Sequence, residues 1–299
     1  MKYTDPARIK TEKILERIEA EIVDVYGQAI IEMDKAASKW WRDFDKQDRR
    51  WWKRMQADPD NKALEEEWRR WRRDQLLTGD RFTPIREEIE AQILNAHTSA
   101  IDFVNRKLPQ IYTANYNYLG SSIYEGLTGY SFTLMDVSAV RALALTNTRL
   151  LPYREVDGKE VLSWSGRAIR SEITQGIIQG DSIPNIAKRL ERVAEMDAKT
   201  AVRTARTMVT SAESKGKLDA LEQAANSGII VVKKWHTMLD GRQRHAHEEL
   251  DGDEKPFDEP FVNSIGPIMR PGDPDADGAN VYNCRCALGA RVVGFRRPE

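Results

Sequence analysis

Two cysteines and a histidine near the C-terminus are the residues whose types and spacing could bind a metal ion. Cys284 and Cys286 are the only cysteines, they are separated by one residue, and His247 precedes them. On a strand, residues two apart project from the same face, so both sulfurs could face one ligand. Zinc binds Cys and His side chains tetrahedrally. The pattern predicts a structural zinc site with these three ligands and either Asp240 or His245 as a fourth.

The same residues can also be interpreted without a metal. Two reduced cysteines could pack as small apolar groups in a core, with His247 bonded to a backbone carbonyl. The conformation of residues 243–250 bears on the choice of histidine, because each helical residue is rotated by about 100°. In a helix, His245 and His247 would point to nearly opposite sides and only one could bind the metal. On a strand both could bind.

Three charged residues lie just before His247. Asp240, Arg242 and Arg244 could contact a partner or take part in catalysis. We expect a turn with two surface arginines instead, because runs of charge usually form solvated faces. No Walker A loop, dinucleotide fingerprint or nucleophile–base pairing is recognisable, and the protein is therefore not expected to be an enzyme.

Composition indicates solvated amphipathic helices around modest cores. Charged residues make up 31 % and hydrophobic residues 40 % of the 299 residues, and the net charge is -1, which excludes a nucleic-acid polycation. No apolar run approaches the roughly 20 residues of a membrane span, so no membrane partner is expected. The first residues lack an apolar signal segment, and two cysteines exclude a disulfide scaffold and favour a reducing cytosol.

The segment 39–73 is rich in tryptophan and arginine. It contains six of the eight tryptophans of the chain: Trp40, Trp41, Trp51, Trp52, Trp68 and Trp71. Residues 40–73 carry 11 basic and 8 acidic side chains, too small an excess for a DNA groove. Since Trp and Arg are typical anchors of protein interfaces, we expect these tryptophans to bind a protein partner.

Periodicity and turn signals divide the chain into three regions with an expected α+β fold. Residues 1–107 are predicted to be helical, with a break at 58–61. Residues 108–227 are expected to begin irregularly, to about residue 157, and to end in a long helix capped by Asp197. Residues 228–299 are predicted to form a small turn-rich β-containing module with strands at 229–235 and 291–295. The expected architecture is thus an elongated, mostly helical N-terminal part followed by this module.

An ordered series of short motifs runs through the last third of the chain. They are Arg203–Thr207, Ser214–Leu218, Lys234-Trp235, Asp240–Arg244, His247–Gly252, Asp258–Phe261, Pro271–Pro274 and Asn283–Cys286. In this order and spacing the segment 206–286 resembles the head-morphogenesis domain of tailed bacteriophages, the family that includes the phage Mu F protein. His245 departs from the family pattern, which has one histidine here.

The resemblance implies a structural role at the portal of a phage head. Such proteins bind the portal protein inside the procapsid and assist head assembly and DNA packaging or ejection. The expected location is the virion, with host cytoplasm during assembly. Other capsid or scaffolding proteins and packaged DNA are further expected partners, and Arg203 and Arg206 are candidate contacts. Two alternatives remain open: a metal-dependent hydrolase or nuclease that uses His247, Asp240 and the two cysteines, and a DNA-binding virion protein that uses the tryptophan- and arginine-rich helices.

Overall fold

The protein is described by a computed structural model that covers residues 5–77, 83–138, 155–156, 159–160, 171–172, 175 and 183–296. Four long helices precede a β-containing part. They are α1 (Pro6–Ala57), α2 (Lys62–Leu77), α3 (Thr83–Tyr124) and α4 (Ile183–Asn226). None of the helices that the structure describes combines the length and apolar character needed to cross a bilayer.

Local capping explains where the first two helices begin. The backbone N–H of Arg8 donates to Oδ1 of Asp5 at 2.6 Å, so Asp5 caps α1 as its sequence position before a proline predicts. Asn61 caps α2 in the same way, because its Oδ1 accepts from the N–H of Leu64 at 3.0 Å. The predicted break at 58–61 is confirmed.

Two expectations about helix boundaries are wrong. The stretch from residue 108 is not irregular at first, since α3 continues through Pro109 to Tyr124. Its tyrosines are held by packing on α4, where the hydroxyl of Tyr112 donates to Asp219 at 2.5 Å. Asp197 does not begin a helix, because α4 already starts at Ile183, with Pro184 in the first turn, where proline is tolerated.

The C-terminal residues 229–296, called the β module below, contain short antiparallel sheets. Strand β3 (Ile229–His236) lies between β4 (Glu254–Pro256) and β7 (Ala287–Phe295), and β5 (Phe261–Val262) pairs with β6 (Pro267–Ile268). A separate pair, β1 (Glu155–Val156) and β2 (Lys159–Glu160), precedes α4. Two single-turn helices complete the β module: α5 (His245–Glu248) and α6 (Gly278–Val281). Both predicted strands are present, and the α+β class is confirmed.

The core of the β module forms on one face of β3. Alternate β3 residues are buried, as expected for a strand with one covered face. Trp235 is fully buried, and its ring meets Phe261 edge-on at 5.3 Å between centroids. Side chains from α3 and α4, including Tyr116 and Leu221, join the same cluster.

The chain divides into two compact units. One comprises Met1–Glu21, Ile101–Pro152 and Ala201–Glu299, and the other comprises Ile22–Ala100 and Tyr153–Thr200. Helices α1, α3 and α4 each contribute residues to both units.

Candidate metal centre

His247, Cys284 and Cys286 meet in the interior of the β module. Nδ1 of His247 lies 3.6 Å from Sγ of Cys284 and 3.4 Å from Sγ of Cys286. The three residues are only 2–3 % exposed, and both cysteines are free thiols. Their potential ligand atoms all lie within 4.8 Å of one another. One imidazole nitrogen and two sulfurs in this arrangement could hold a thiophilic divalent cation.

Thr237, directly after β3, holds the histidine side of the site. Its N–H donates to Oδ1 of Asp251 at 2.8 Å, and its hydroxyl donates to the carbonyl oxygen of His247 at 2.5 Å. The ring of Trp235 meets the imidazole edge-on at 5.4 Å. These contacts fix the single turn α5, which is too short to be stable by itself.

The cysteine side is held from two helices of the same compact unit. Thr210 of α4 donates its hydroxyl to the carbonyl oxygen of Cys284 at 2.8 Å. The guanidinium of Arg8 on α1 donates to the carbonyl oxygen of Arg285 at 2.9 Å. The cysteines therefore lie on a braced loop immediately before β7.

Two asparagines determine how the imidazole is protonated. The backbone N–H groups of Ile265 and Gly266 donate to Oδ1 of Asn263 at 2.9 and 3.1 Å, so the amide nitrogen of Asn263 faces Asn280. That nitrogen donates to Oδ1 of Asn280 at 2.9 Å, and the same oxygen lies 3.2 Å from Nε2 of His247. Because this oxygen can only accept, Nε2 carries the proton and Nδ1 presents a lone pair to the sulfurs.

The two thiols are electrostatically unequal. Their mutual hydrogen bond lowers the pKa of Cys286 well below its ordinary value. The same hydrogen bond and burial raise the pKa of Cys284. Deprotonation of the pair is thus favoured at Cys286 over Cys284, as expected when two acidic groups share one buried site.

The structure does not bring the other two predicted ligands to this site. His245 is on the opposite side of α5 with its side chain 86 % exposed, beside Glu248 and Glu249, so the helical alternative for residues 243–250 describes the structure. Asp240 is exposed and accepts two hydrogen bonds from the guanidinium of Arg285. This pairing and the helix direction explain why neither side chain reaches the sulfurs.

Comparison with known proteins identifies the family to which this part of the chain is related. The model of the family "Phage Mu protein F like protein" matches residues 167–289. The minor head protein GP7 of Bacillus phage SPP1 is 29 % identical over 210 residues, covering 68 % of this chain and 67 % of GP7. Residues 167–289 are thus similar to the phage Mu F-like family. The resemblance seen in the motifs is therefore confirmed.

A second relative is much longer than the matched region. The NAD(+)–arginine ADP-ribosyltransferase EFV of Enterococcus faecalis is 30 % identical over 177 residues, which are 58 % of this chain and 34 % of EFV. The chain thus spans about a third of that enzyme's length. No solved structure matches the chain.

Two glycines of the Mu F-like motifs allow close backbone approaches. A Cβ on Gly216 of α4 would lie 2.4 Å from the carbonyl oxygen of Tyr112 on α3. Gly272 has φ +68°, and a Cβ there would lie 2.8 Å from the backbone nitrogen of Ser211. Both positions therefore require glycine for packing.

A buried ionic cluster contains residues that the sequence analysis did not single out. Nζ of Lys217 lies 2.8 Å from Asp5 and 3.2 Å from Glu213, whose carboxylate is also 2.9 Å from Arg8. Lys217 is fully buried. Four charged residues separated by about 200 positions have no common sequence signal, although Lys217 belongs to a recognised motif. The asparagines at 263 and 280 were missed for the same reason.

In the segment 39–73, most of the tryptophans with described side chains pack between α1 and α2. Trp68 on α2 donates its indole N–H to Asp48 of α1 at 2.7 Å. Trp71 stacks on Phe44 at 5.3 Å between centroids and lies 6.1 Å from Trp51. These three side chains thus stabilise the α1–α2 pair.

Trp52 differs because its side chain is 53 % exposed on α1. Trp40 and Trp41 lie on the same helix, but their side chains are outside the described part of the structure. Trp52 is therefore the described tryptophan best placed for a partner.

The two candidate arginines on α4 have different environments. Arg203 is exposed, whereas Arg206 donates two hydrogen bonds to Glu19 at 2.6 and 3.1 Å. This ion pair joins α4 to α1 within one unit, so Arg206 has an internal role.

Proposed function

We propose that this chain is a structural minor head protein of a tailed bacteriophage. The observation that carries the proposal is its similarity to the minor head protein GP7, which extends over about two thirds of both chains. The phage Mu F-like match over residues 167–289 supports the same role. The proposed location is accordingly the virion, at the portal vertex of the head, and the host cytoplasm during assembly.

The proposed partner is the phage portal protein, and the proposed task is to assist head assembly and DNA packaging or ejection. Trp52 is the proposed anchor, since it is the described tryptophan with an exposed indole, and tryptophan is enriched among energetically dominant interface residues. Arg203, also exposed, is a candidate for a weaker contact at the rim of an interface.

The role is proposed to be structural and not catalytic. Burial of all three candidate metal ligands supports this, because a substrate in solvent could not reach side chains that are only 2–3 % exposed. The proposal does not extend to the ADP-ribosyl transfer in the name of EFV, since the chain matches only 34 % of that enzyme.

Co-expression with the portal protein of the same phage, followed by size-exclusion chromatography, tests the proposal. A complex of defined stoichiometry is expected. Trp52→Ala should weaken it at least tenfold, the effect of losing about 1.4 kcal/mol at an interface anchor. Leu94→Ala is the matched control, because Leu94 is a similarly exposed apolar residue, 54 % exposed, in the same compact unit.

The outcomes separate the parts of the proposal. If the chain elutes alone, the portal assignment is wrong, and DNA binding that weakens steeply with salt would favour the DNA-binding alternative. If the complex is weakened no more by Trp52→Ala than by Leu94→Ala, the portal protein is still the partner, but Trp52 is not the residue that anchors the interface.

A further inference from the structure

We propose that His247, Cys284 and Cys286 bind one zinc ion, and that Asn280 and Asn263 hold the imidazole in the tautomer that coordinates it. Three protein ligands and one water molecule would complete the tetrahedron. The inference goes beyond the role in the phage head and does not depend on portal binding. It rests on distances, hydrogen-bond directions and burial at this site.

The two nitrogen-to-sulfur distances at the site fit a zinc tetrahedron. With Zn–S distances of about 2.3 Å and a Zn–N distance of about 2.0–2.1 Å, each N···S edge of a tetrahedral site is about 3.5–3.6 Å long. The distances from Nδ1 of His247 to the two sulfurs are 3.6 and 3.4 Å. The site therefore needs little rearrangement to accept the ion.

Hydrogen bonds alone cannot satisfy Nδ1 of His247 and both cysteine sulfurs at the same time. Nδ1 of a neutral imidazole has a single lone pair, and it faces both Cys284 and Cys286 at similar distances. Only one thiol can donate to it at a time. A cation between the three atoms would use both sulfurs and the nitrogen together, and its binding would release the thiol protons to solvent.

The asparagine pair supplies the support that metal-binding histidines commonly have. Their second ring nitrogen usually donates to an oxygen that fixes the tautomer and the ring orientation. Here Oδ1 of Asn280 takes that place, and the orientation of Asn280 is itself set by Asn263 and by backbone donors of the β5–β6 turn. The imidazole is thus prepared for coordination through Nδ1 and not through Nε2.

The ion would join two distant segments of the β module. It would tie α5 to the loop before β7, 37 and 39 positions later in the chain. The sheets of this module are short, and small cores of this kind often depend on a structural metal. Among the described residues, no fourth His, Cys, Asp or Glu joins the three, and water is the remaining ligand of ordinary zinc chemistry.

Metal analysis and cobalt substitution of the full chain, purified under reducing conditions, test the assignment. About one zinc per chain is expected for the wild type and for His245→Ala, the control at the exposed histidine two residues away. His247→Ala and Cys284→Ser should lose the metal. Adding Co²⁺ to the metal-stripped wild type should produce thiolate-to-cobalt charge-transfer absorption, which requires sulfur ligands and does not depend on any variant folding.

Asn280→Leu tests the positioning role separately. Loss of the acceptor should weaken zinc binding about 10–100-fold while leaving the cobalt spectrum of the saturated protein unchanged. Equal zinc affinity in Asn280→Leu and the wild type would overturn the role of the asparagines. A wild-type chain that binds no more zinc than Cys284→Ser, or that shows no charge-transfer band with cobalt, would overturn the site.

Discussion

Replacing Gly216 by alanine should destabilise the protein although it improves helix propensity. Alanine in place of glycine within a helix gains up to about 1 kcal/mol. At this position, however, the new Cβ would lie 2.4 Å from the carbonyl oxygen of Tyr112 and 3.2 Å from the backbone nitrogen of Tyr116. These are backbone atoms of α3, so a change of rotamer cannot relieve the contact.

The size of the destabilisation follows from how far the new Cβ of Gly216→Ala lies inside the normal contact distance. Relieving the contact requires α3 and α4 to separate by about 1 Å, and overpacking of this kind costs roughly 1–3 kcal/mol and occasionally more. The net expectation for Gly216→Ala is a loss of about 1–2 kcal/mol in the free energy of unfolding. Gly27→Ala on α1 is the matched control, because a Cβ there meets nothing within 4 Å. It should stabilise the protein by about 0.5–1 kcal/mol.

Urea denaturation followed by circular dichroism measures both variants. Hydrogen exchange of peptides from α3, α4 and α1 assigns each change to its helix. The two substitutions should shift the midpoint in opposite directions, with faster exchange near residues 112 and 216 in Gly216→Ala. If Gly216→Ala were as stable as Gly27→Ala, the close packing of α3 on α4 would not be present in the folded protein.

Two further predictions concern buried lysines. Lys217→Met should reduce the free energy of unfolding by about 3–5 kcal/mol, because it leaves two buried carboxylates with one cation fewer. Lys215→Met, on the exposed side of the same turn, should cost about 0.5 kcal/mol or less, so equal losses in denaturant titrations would contradict the buried cluster. Burial lowers the pKa of Lys233 from 10.5 to about 8. Between pH 8 and 10.5 the unfolded chain therefore binds more protons at this lysine than the folded protein does. The free energy of unfolding should rise with pH in this range, by at most about 1.4 kcal/mol per pH unit. Lys233→Met should remove this rise, and unfolding curves with the same pH dependence in both proteins would disprove the lowered pKa.

The buried ionic cluster also connects the N-terminus of α1 to the candidate metal centre. Arg8 pairs with Glu213 and donates to carbonyl oxygens of Arg285 and Cys286. The loop that bears both cysteines is therefore held by residues at the opposite end of the sequence. Substitutions in this cluster are expected to alter both stability and metal affinity.

Local signals in the sequence determined the elements whose causes are themselves local. Asp5 before a proline predicted the start of α1, and the break at 58–61 and the strand at 229–235 were visible from turn residues and β-branched side chains. The order of the motifs also indicated the similarity to the phage Mu F-like family that the family model finds over residues 167–289. The sequence also indicated that His247, Cys284 and Cys286 could share one ligand site, because residue types and their spacing are properties of the sequence.

Only the tertiary structure decided which side chains meet. The face of α5 buried against Trp235 selects His247 and leaves His245 in solvent. Hydrogen bonds between residues 263, 280 and 247 select the imidazole tautomer. Helix α3 extends beyond its predicted end because its tyrosines pack on α4. Each of these outcomes depends on contacts between residues far apart in the chain, and neither periodicity nor capping contains that information.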